Sequence, residues 1–256
     1  MNKKAILLVS TGSSKKETLE KTLFKLVEEM KNNYKEYSFY LAFANDYILK
    51  KLQDSYDANL LDVETAFLQM KNEDIKEVYI QSTFLLDGLE SGKVFEVVKK
   101  YQDDFEKIIV GAPLLHKKED YMNLLQILSE NAQLEEKEAL VLVGHGTTHV
   151  ANNSYQDFEY TAYTNGYRNV FVGTMGDEKS RRMVLRKLSA MGFEKVCLKP
   201  FLFVAGYHAK KDIEGEQNSW KTFLKENGYE VRVWENGLGE LKDIRDILIR
   251  HLEKCL

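Results

Sequence analysis

Short apolar runs alternating with stretches of helical spacing constrain this chain most, because the two periods together leave few folds open. Apolar runs lie at 5–9, 37–44, 78–86, 108–115, 139–143, 169–173, 195–204 and 230–234. Each is too short for a buried helix and too continuous for a strand with one wet face, so each reads as a strand covered on both sides. Between them lie a charged amphipathic helix reaching about Asn32, helical spacing in Ile48, Leu52, Val63, Phe67 and Met70, and a helix near Tyr121 to Glu130. Strands alternating with helices predict parallel sheets with helices on both faces.

The pattern occurs twice. KAILLVSTGSS (4–14) lies over EALVLVGHGTT (138–148) at an offset of 134, matching Ala5 with Ala139, Val9 with Val143 and Gly12 with Gly146. IKEVYIQSTFLLDGLE (75–90) lies over FEKVCLKPFLFVAGYH (193–208) at an offset of 118, matching Val78 with Val196 and Gly88 with Gly206. The expected architecture is therefore two similar three-layer α/β lobes, 1–128 and 129–256, each a parallel four-stranded sheet flanked by helices. Each lobe is expected to offer the ends of its first and third strands to a shared cleft. In this register Thr11 is the counterpart of His145, and Glu90 of His208.

Composition narrows the function. The 256 residues carry a net charge of −4 with 30% charged residues of both signs, which gives no general attraction for nucleic acid or an anionic membrane. The apolar run after Met1 is too short for a secretion signal and lacks a small-residue cleavage site. No stretch approaches the roughly 20 apolar residues that span a bilayer. Cys197 and Cys255 fit no metal spacing and no disulfide framework, so a reduced cytoplasm is the expected compartment.

The chemistry is expected at strand ends. His145 sits between Gly144 and Gly146 after the run 139–143; the glycines are expected to let the backbone turn and leave the imidazole uncrowded. His208 follows another apolar run and a glycine, in VAGYH. Two such imidazoles suit a divalent transition ion or proton exchange. A helix is expected from Thr147 or Thr148, with His149 one turn beyond His145 as a substrate contact or an ordinary helix-face histidine. Glu90, beyond the run 78–86, reads as a general base or a solvated loop charge. His116, after Pro113, and His251, on a charged helix, read as structural or solvent-facing. There is no phosphate-cradling GxxxxGK[ST], no GxGxxG after the first strand and no GxSxG elbow. Phosphohydrolases with a nucleophilic histidine place an arginine where Gly144 stands.

VSTGSS (9–14), IQSTFLLDGLE (80–90), GHGTTHVANNSY (144–155), PFLFVAGYHAKKDI (200–213), SWKTFLKENGYEV (219–231) and GLGE (237–240) together resemble the anaerobic sirohydrochlorin cobaltochelatases of the CbiK type, within the class II chelatases. The resemblance covers nearly the whole chain. It implies a chelatase-like fold, a tetrapyrrole cleft between the lobes, and insertion of Co2+ into sirohydrochlorin in the early-cobalt-insertion route to cobalamin. The metal is then substrate, with no permanently bound cofactor. By the same resemblance His145 binds metal and accepts pyrrole protons, His208 is the second metal-binding histidine, Glu90 is a catalytic carboxylate that faces and binds the substrate, and Ser10 and Thr11 are substrate-binding residues.

One stretch departs from the family pattern. Members carry a glutamate just after the VGT strand end as a third metal ligand, whereas VGTMGDEKS places Gly176 there, with Asp177 and Glu178 as the next carboxylates. Insertion of Fe2+ or Ni2+ into the same or a related macrocycle, a non-catalytic tetrapyrrole or metal carrier on this fold, and an unrelated α/β enzyme with a histidine pair are the alternative readings. Nucleic acid and membrane are not expected partners; a homo-oligomer is left open.

Overall fold

A computed structural model of the protein describes residues 3–55 and 60–256, apart from the side chains of Ser55 and His208. In chain order the elements are β1 (Lys4–Ser10), α1 (Lys16–Lys21), α2 (Leu23–Asn33), β2 (Ser38–Phe43), α3 (Asp46–Ser55), β3 (Leu61–Asp62), α4 (Val63–Asn72), β4 (Glu77–Ser82), α5 (Leu89–Tyr101), β5 (Lys107–Val110) and α6 (Lys118–Ala132). There follow β6 (Glu138–Gly144), α7 (Asn153–Thr164), β7 (Val170–Thr174), α8 (Glu178–Ala190), β8 (Lys195–Pro200), α9 (Tyr207–Glu214), α10 (Trp220–Glu226), β9 (Glu230–Val233) and α11 (Lys242–Glu253). None of the described helices is long and apolar enough to cross a membrane.

All strand pairings are parallel, in two sheets ordered β3-β2-β1-β4-β5 and β7-β6-β8-β9. The first sheet has five strands rather than the expected four. The difference is β3, a two-residue strand pairing with Ala42 and Phe43, too short to leave an apolar run of its own. Part of the helical stretch expected between Tyr47 and Asn72, at 56–59, lies outside the described residues; the rest is α3 and α4.

The repeat reaches down to register. Ala5 pairs with Val78 and Ala139 with Val196, the same two residue types one repeat apart. β1 and β6 are central and solidly apolar: Ala5 to Val9 and Ala139 to Val143 are all fully buried. Helices cover both faces, as parallel sheets require.

Three apolar runs outlast their strands. β4 ends at Ser82, β5 at Val110 and β8 at Pro200, short of the expected 86, 115 and 204. The apolar residues beyond, including Phe84, Leu85, Leu114, Phe201 and Phe203, are buried all the same. They form loops folded back under the strand ends and held by backbone bonds such as Leu114 N–H to Phe84 O and Leu238 N–H to Leu202 O. Burial, which the apolar run reports, continues after strand pairing stops.

The unit boundaries also differ from the expected cut at 128/129. One compact unit is Met1–His116 with Gly239–Leu256; the other is Lys117–Leu238. Helix α6 follows the first unit's last strand yet belongs to the second. Helix α11 follows the second unit's last strand yet packs on β4 of the first, where Arg245 clasps Glu29 with two bonds of 2.8 Å. Helical periodicity says which face of a helix is apolar, not which sheet that face will cover.

Candidate functional site

The loop after β6 is built by two glycines with different tasks. A Cβ on Gly144 would lie 2.5 Å from the Tyr155 ring, so this glycine makes room for an aromatic of α7 and stays within the strand. Gly146 supplies the turn, at φ +78°, where an L side chain is strained. Between them His145 is exposed. Its strand neighbour is β7, with Gly144 in register with Thr174, and Gly146 lies against the Thr174 side chain.

The expected helix start at Thr147 or Thr148 is shifted. Thr147 Oγ1 accepts the His149 N–H at 3.1 Å, and His149 itself caps a 3-10 turn (Val150–Asn152), its Nδ1 accepting the Ala151 N–H at 3.2 Å. Asn152 Oδ1 closes the loop by accepting the Thr147 N–H at 3.1 Å. These short polar side chains satisfy backbone donors locally, which delays the helix. His149 Nδ1 is therefore engaged as an acceptor and, in the neutral ring, the proton stays on Nε2.

In the first unit the corresponding loop follows β1. Ser10 is fully buried; its hydroxyl accepts from Thr83 Oγ1 at 2.9 Å and from the Gly12 N–H at 3.2 Å. Ser10 thus ties the ends of β1 and β4 together, while Thr11 beside it is half-buried. Gly12 has φ +73°, matching Gly146 one repeat on. Thr83 lies within IQSTFLLDGLE but is not singled out by sequence; the repeat does not flag it, because its counterpart Phe201 is not polar.

Glu90 and His208 hold the same helical position. Gly88 caps α5 and Gly206 caps α9, which makes each functional candidate the second residue of its helix. Glu90 is half-buried. The residues just before them, Leu89 and Tyr207, are exposed at 57% and 55%, a pair of apolar side chains at strand-end level that sequence reading passed over. The 118-residue offset aligns these two and is the signal that would have found them.

The two carboxylates that follow Gly176 are both engaged at the start of α8. Gly176 has φ +66° and open space where a Cβ would go. Asp177 caps α8 by accepting the Lys179 N–H at 2.9 Å, and Glu178 pairs with Arg182. Both carboxylates serve the first turn of α8. Among the described residues no group of three His, Cys, Asp or Glu side chains is gathered for a metal ion. Cys197 is no ligand candidate either, since burial pushes its thiol up to about 11 and keeps it protonated.

Two helix-covered parallel sheets, with polar groups and an exposed histidine at the carboxyl ends of central strands, define an α/β protein whose candidate site lies at strand ends. Its fold is that of SirB from Bacillus subtilis, solved with Fe3+: TM-score 0.66 and 14% identity over 98% of this chain and 95% of that one. The chain belongs to the cobalt chelatase (CbiK) family, whose pattern it matches over residues 4–256. It is 28% identical to the sirohydrochlorin cobaltochelatase of Salmonella typhimurium, over 99% of this chain and 97% of that one. It is also 30% identical to the sirohydrochlorin cobaltochelatase CbiKC of Nitratidesulfovibrio vulgaris, over 98% and 90%.

Proposed function

We propose that this protein is a chelatase that inserts Co2+ into sirohydrochlorin for cobalamin synthesis. The observation that carries the reading is His145, exposed between two glycines at the end of a fully buried central strand, in a chain that matches the cobalt chelatase family from residue 4 to 256. Insertion requires the macrocycle to lose two pyrrole N–H protons while a hydrated divalent ion sheds water and passes onto four nitrogens. A neutral imidazole suits both tasks, as a ligand for Co2+ and as a proton acceptor near neutral pH.

In this reading His145 binds the incoming metal and accepts pyrrole protons, and His208 is the second metal-binding histidine. Glu90 faces the macrocycle as a catalytic carboxylate. Thr11 contacts substrate directly; Ser10, with its hydroxyl occupied, acts by holding the β1 and β4 ends in place. With Gly176 in place of a carboxylate, two imidazoles leave coordination positions open for the nitrogens to enter in turn. The two free cysteines fit a reducing cytoplasm.

The test is anaerobic absorbance of sirohydrochlorin with Co2+, Fe2+ or Ni2+ in parallel, with and without protein. Accelerated conversion by the protein, fastest with Co2+, is expected. Tight binding of the macrocycle with no acceleration for any ion would make the protein a carrier and end the chelatase reading.

A further inference from the structure

Helix α8 carries five basic residues, and the structure accounts for three. Arg181 donates to Asn218 O at 2.9 Å and lies over the Phe223 ring. Arg182 pairs with Glu178, and Lys187 pairs with Glu159, whose other oxygen accepts the Val172 N–H at 2.8 Å. Lys179 and Arg186 remain, neither bonded to a carboxylate among the described residues. Both line a cavity of about 450 Å3 together with Glu178, Arg182 and Met183. Seven residues separate them, two helical turns or roughly 10 Å along the axis.

This cavity lies along the helix that leaves the strand next to His145. β7 ends at Thr174, in register with Gly144 and against Gly146, and α8 begins at Glu178. Two unneutralised cations that far apart, with an exposed methionine between them, suit a ligand with several carboxylates on flexible aliphatic arms. Sirohydrochlorin is such a molecule, a macrocycle fringed with acetate and propionate groups. The protein as a whole carries −4, so a polycarboxylate needs a local positive field to approach.

We propose that Lys179 and Arg186 form an anion subsite on α8 that binds peripheral carboxylates of the tetrapyrrole substrate. The inference rests on the chelatase reading and extends it to a binding determinant outside the metal site. It commits to the carboxylate arms as occupant: the cations supply charge and Met183 an apolar bed for the methylenes.

The experiment is titration of the full-length protein with metal-free sirohydrochlorin at low and high KCl, read by absorbance, comparing wild type with the double variant Lys179→Glu/Arg186→Glu. Dissociation constants raised about tenfold or more at low salt are expected, with the gap narrowing at high salt as screening removes the field. The exchange Lys179→Arg/Arg186→Lys keeps both charges and is expected to bind as wild type. The fully esterified macrocycle, without charge, is expected to bind wild type and the charge-reversed variant alike. An unchanged constant and salt dependence in the charge-reversed variant, with wild type still catalysing insertion, overturns the subsite alone. Failure of wild type to bind sirohydrochlorin at any salt overturns the subsite and the chelatase reading together.

Discussion

The loops after β1 and β6 are the same turn with opposite contents. Both follow a fully buried central strand, and both turn on a glycine of positive φ at the same repeat position, +73° at Gly12 and +78° at Gly146. In the first, a buried serine locks the turn to the neighbouring strand and Thr11 occupies the tip; in the second, glycine replaces the serine and the tip is an exposed imidazole. The two loops thus share a backbone turn, while only the second carries a histidine at its tip. The fold constrains the backbone of such a loop and leaves its tip free to vary.

The sharpest way to break this comparison is to empty both tips. His145→Ala is expected to lower insertion at least about 100-fold, the scale of losing a positioned acid-base group. Thr11→Ala is expected to raise the KM for sirohydrochlorin about fivefold, the scale of one hydrogen bond. Equal losses from the two changes, with folded circular-dichroism spectra in both, would abolish the asymmetry.

The turns themselves come next. A Cβ on Gly12 would lie 2.6 Å from the Phe43 ring as well as at positive φ, so Gly12→Ala is expected to cost about 3 kcal/mol. At Gly146 the nearest atom is 3.1 Å away on Thr174, and Gly146→Ala is expected to cost about 2 kcal/mol. Urea midpoints at unchanged slope measure both; a larger loss at Gly146 would show that the second loop, not the first, is the tighter.

At the other end of the same strands, Lys4 and Glu138 are repeat counterparts with different partners. Glu138 is 3% exposed, accepts the Glu135 N–H, and is held by Arg232 at 2.6 and 3.0 Å. Arg232→Met strands a buried carboxylate and is expected to cost about 2 kcal/mol, less than for a fully buried pair because Arg232 is 44% exposed. Lys4, 3.2 Å from Glu77, is 40% exposed, and Lys4→Met is expected to leave the urea midpoint unchanged.

The smallest difference is alkaline. In the first lobe burial, then Glu253, raises Tyr34 to about 12, and burial, then the bond to Glu77, raises Tyr79 to about 12; Tyr40 is raised by burial and by Glu73. The folded state holds these protons more tightly than the unfolded chain, whose tyrosines ionise near 10. Their contribution is therefore complete below pH 10 and is lost as pH rises from 10 to 12. Phenolate absorbance should show these tyrosines still protonated at pH 11 in folded protein; ionisation near 10 without unfolding would remove the effect.

Most of the architecture was legible in the residues. The continuous apolar runs marked the parallel strands, the offsets of 134 and 118 foretold which strands would be equivalent, and the flanking glycines pointed to the His145 tip. Less legible was anything that depends on a partner distant in sequence. The two-residue β3 is a strand only because β2 lies beside it, and the apolar tails after β4, β5 and β8 are loops because no strand continues next to them. Ser10 read from sequence as a substrate-binding residue, and only the fold brought Thr83 within 2.9 Å of its hydroxyl.

The sequence by itself determined the fold class, the repeat and the candidate groups, because hydrophobic period and backbone freedom are local properties that each stretch carries with it. Tertiary structure alone decided that α6 and α11 each cross to the other unit, that Gly144 makes room for Tyr155, and that, among the described residues, Lys179 and Arg186 are the basic residues of α8 whose side chains bond no side-chain or backbone partner. The reason is common to all three. Which surface a helix covers, what fills the space above a glycine and which charge finds a partner are set by atoms many residues away, brought close only when the chain packs.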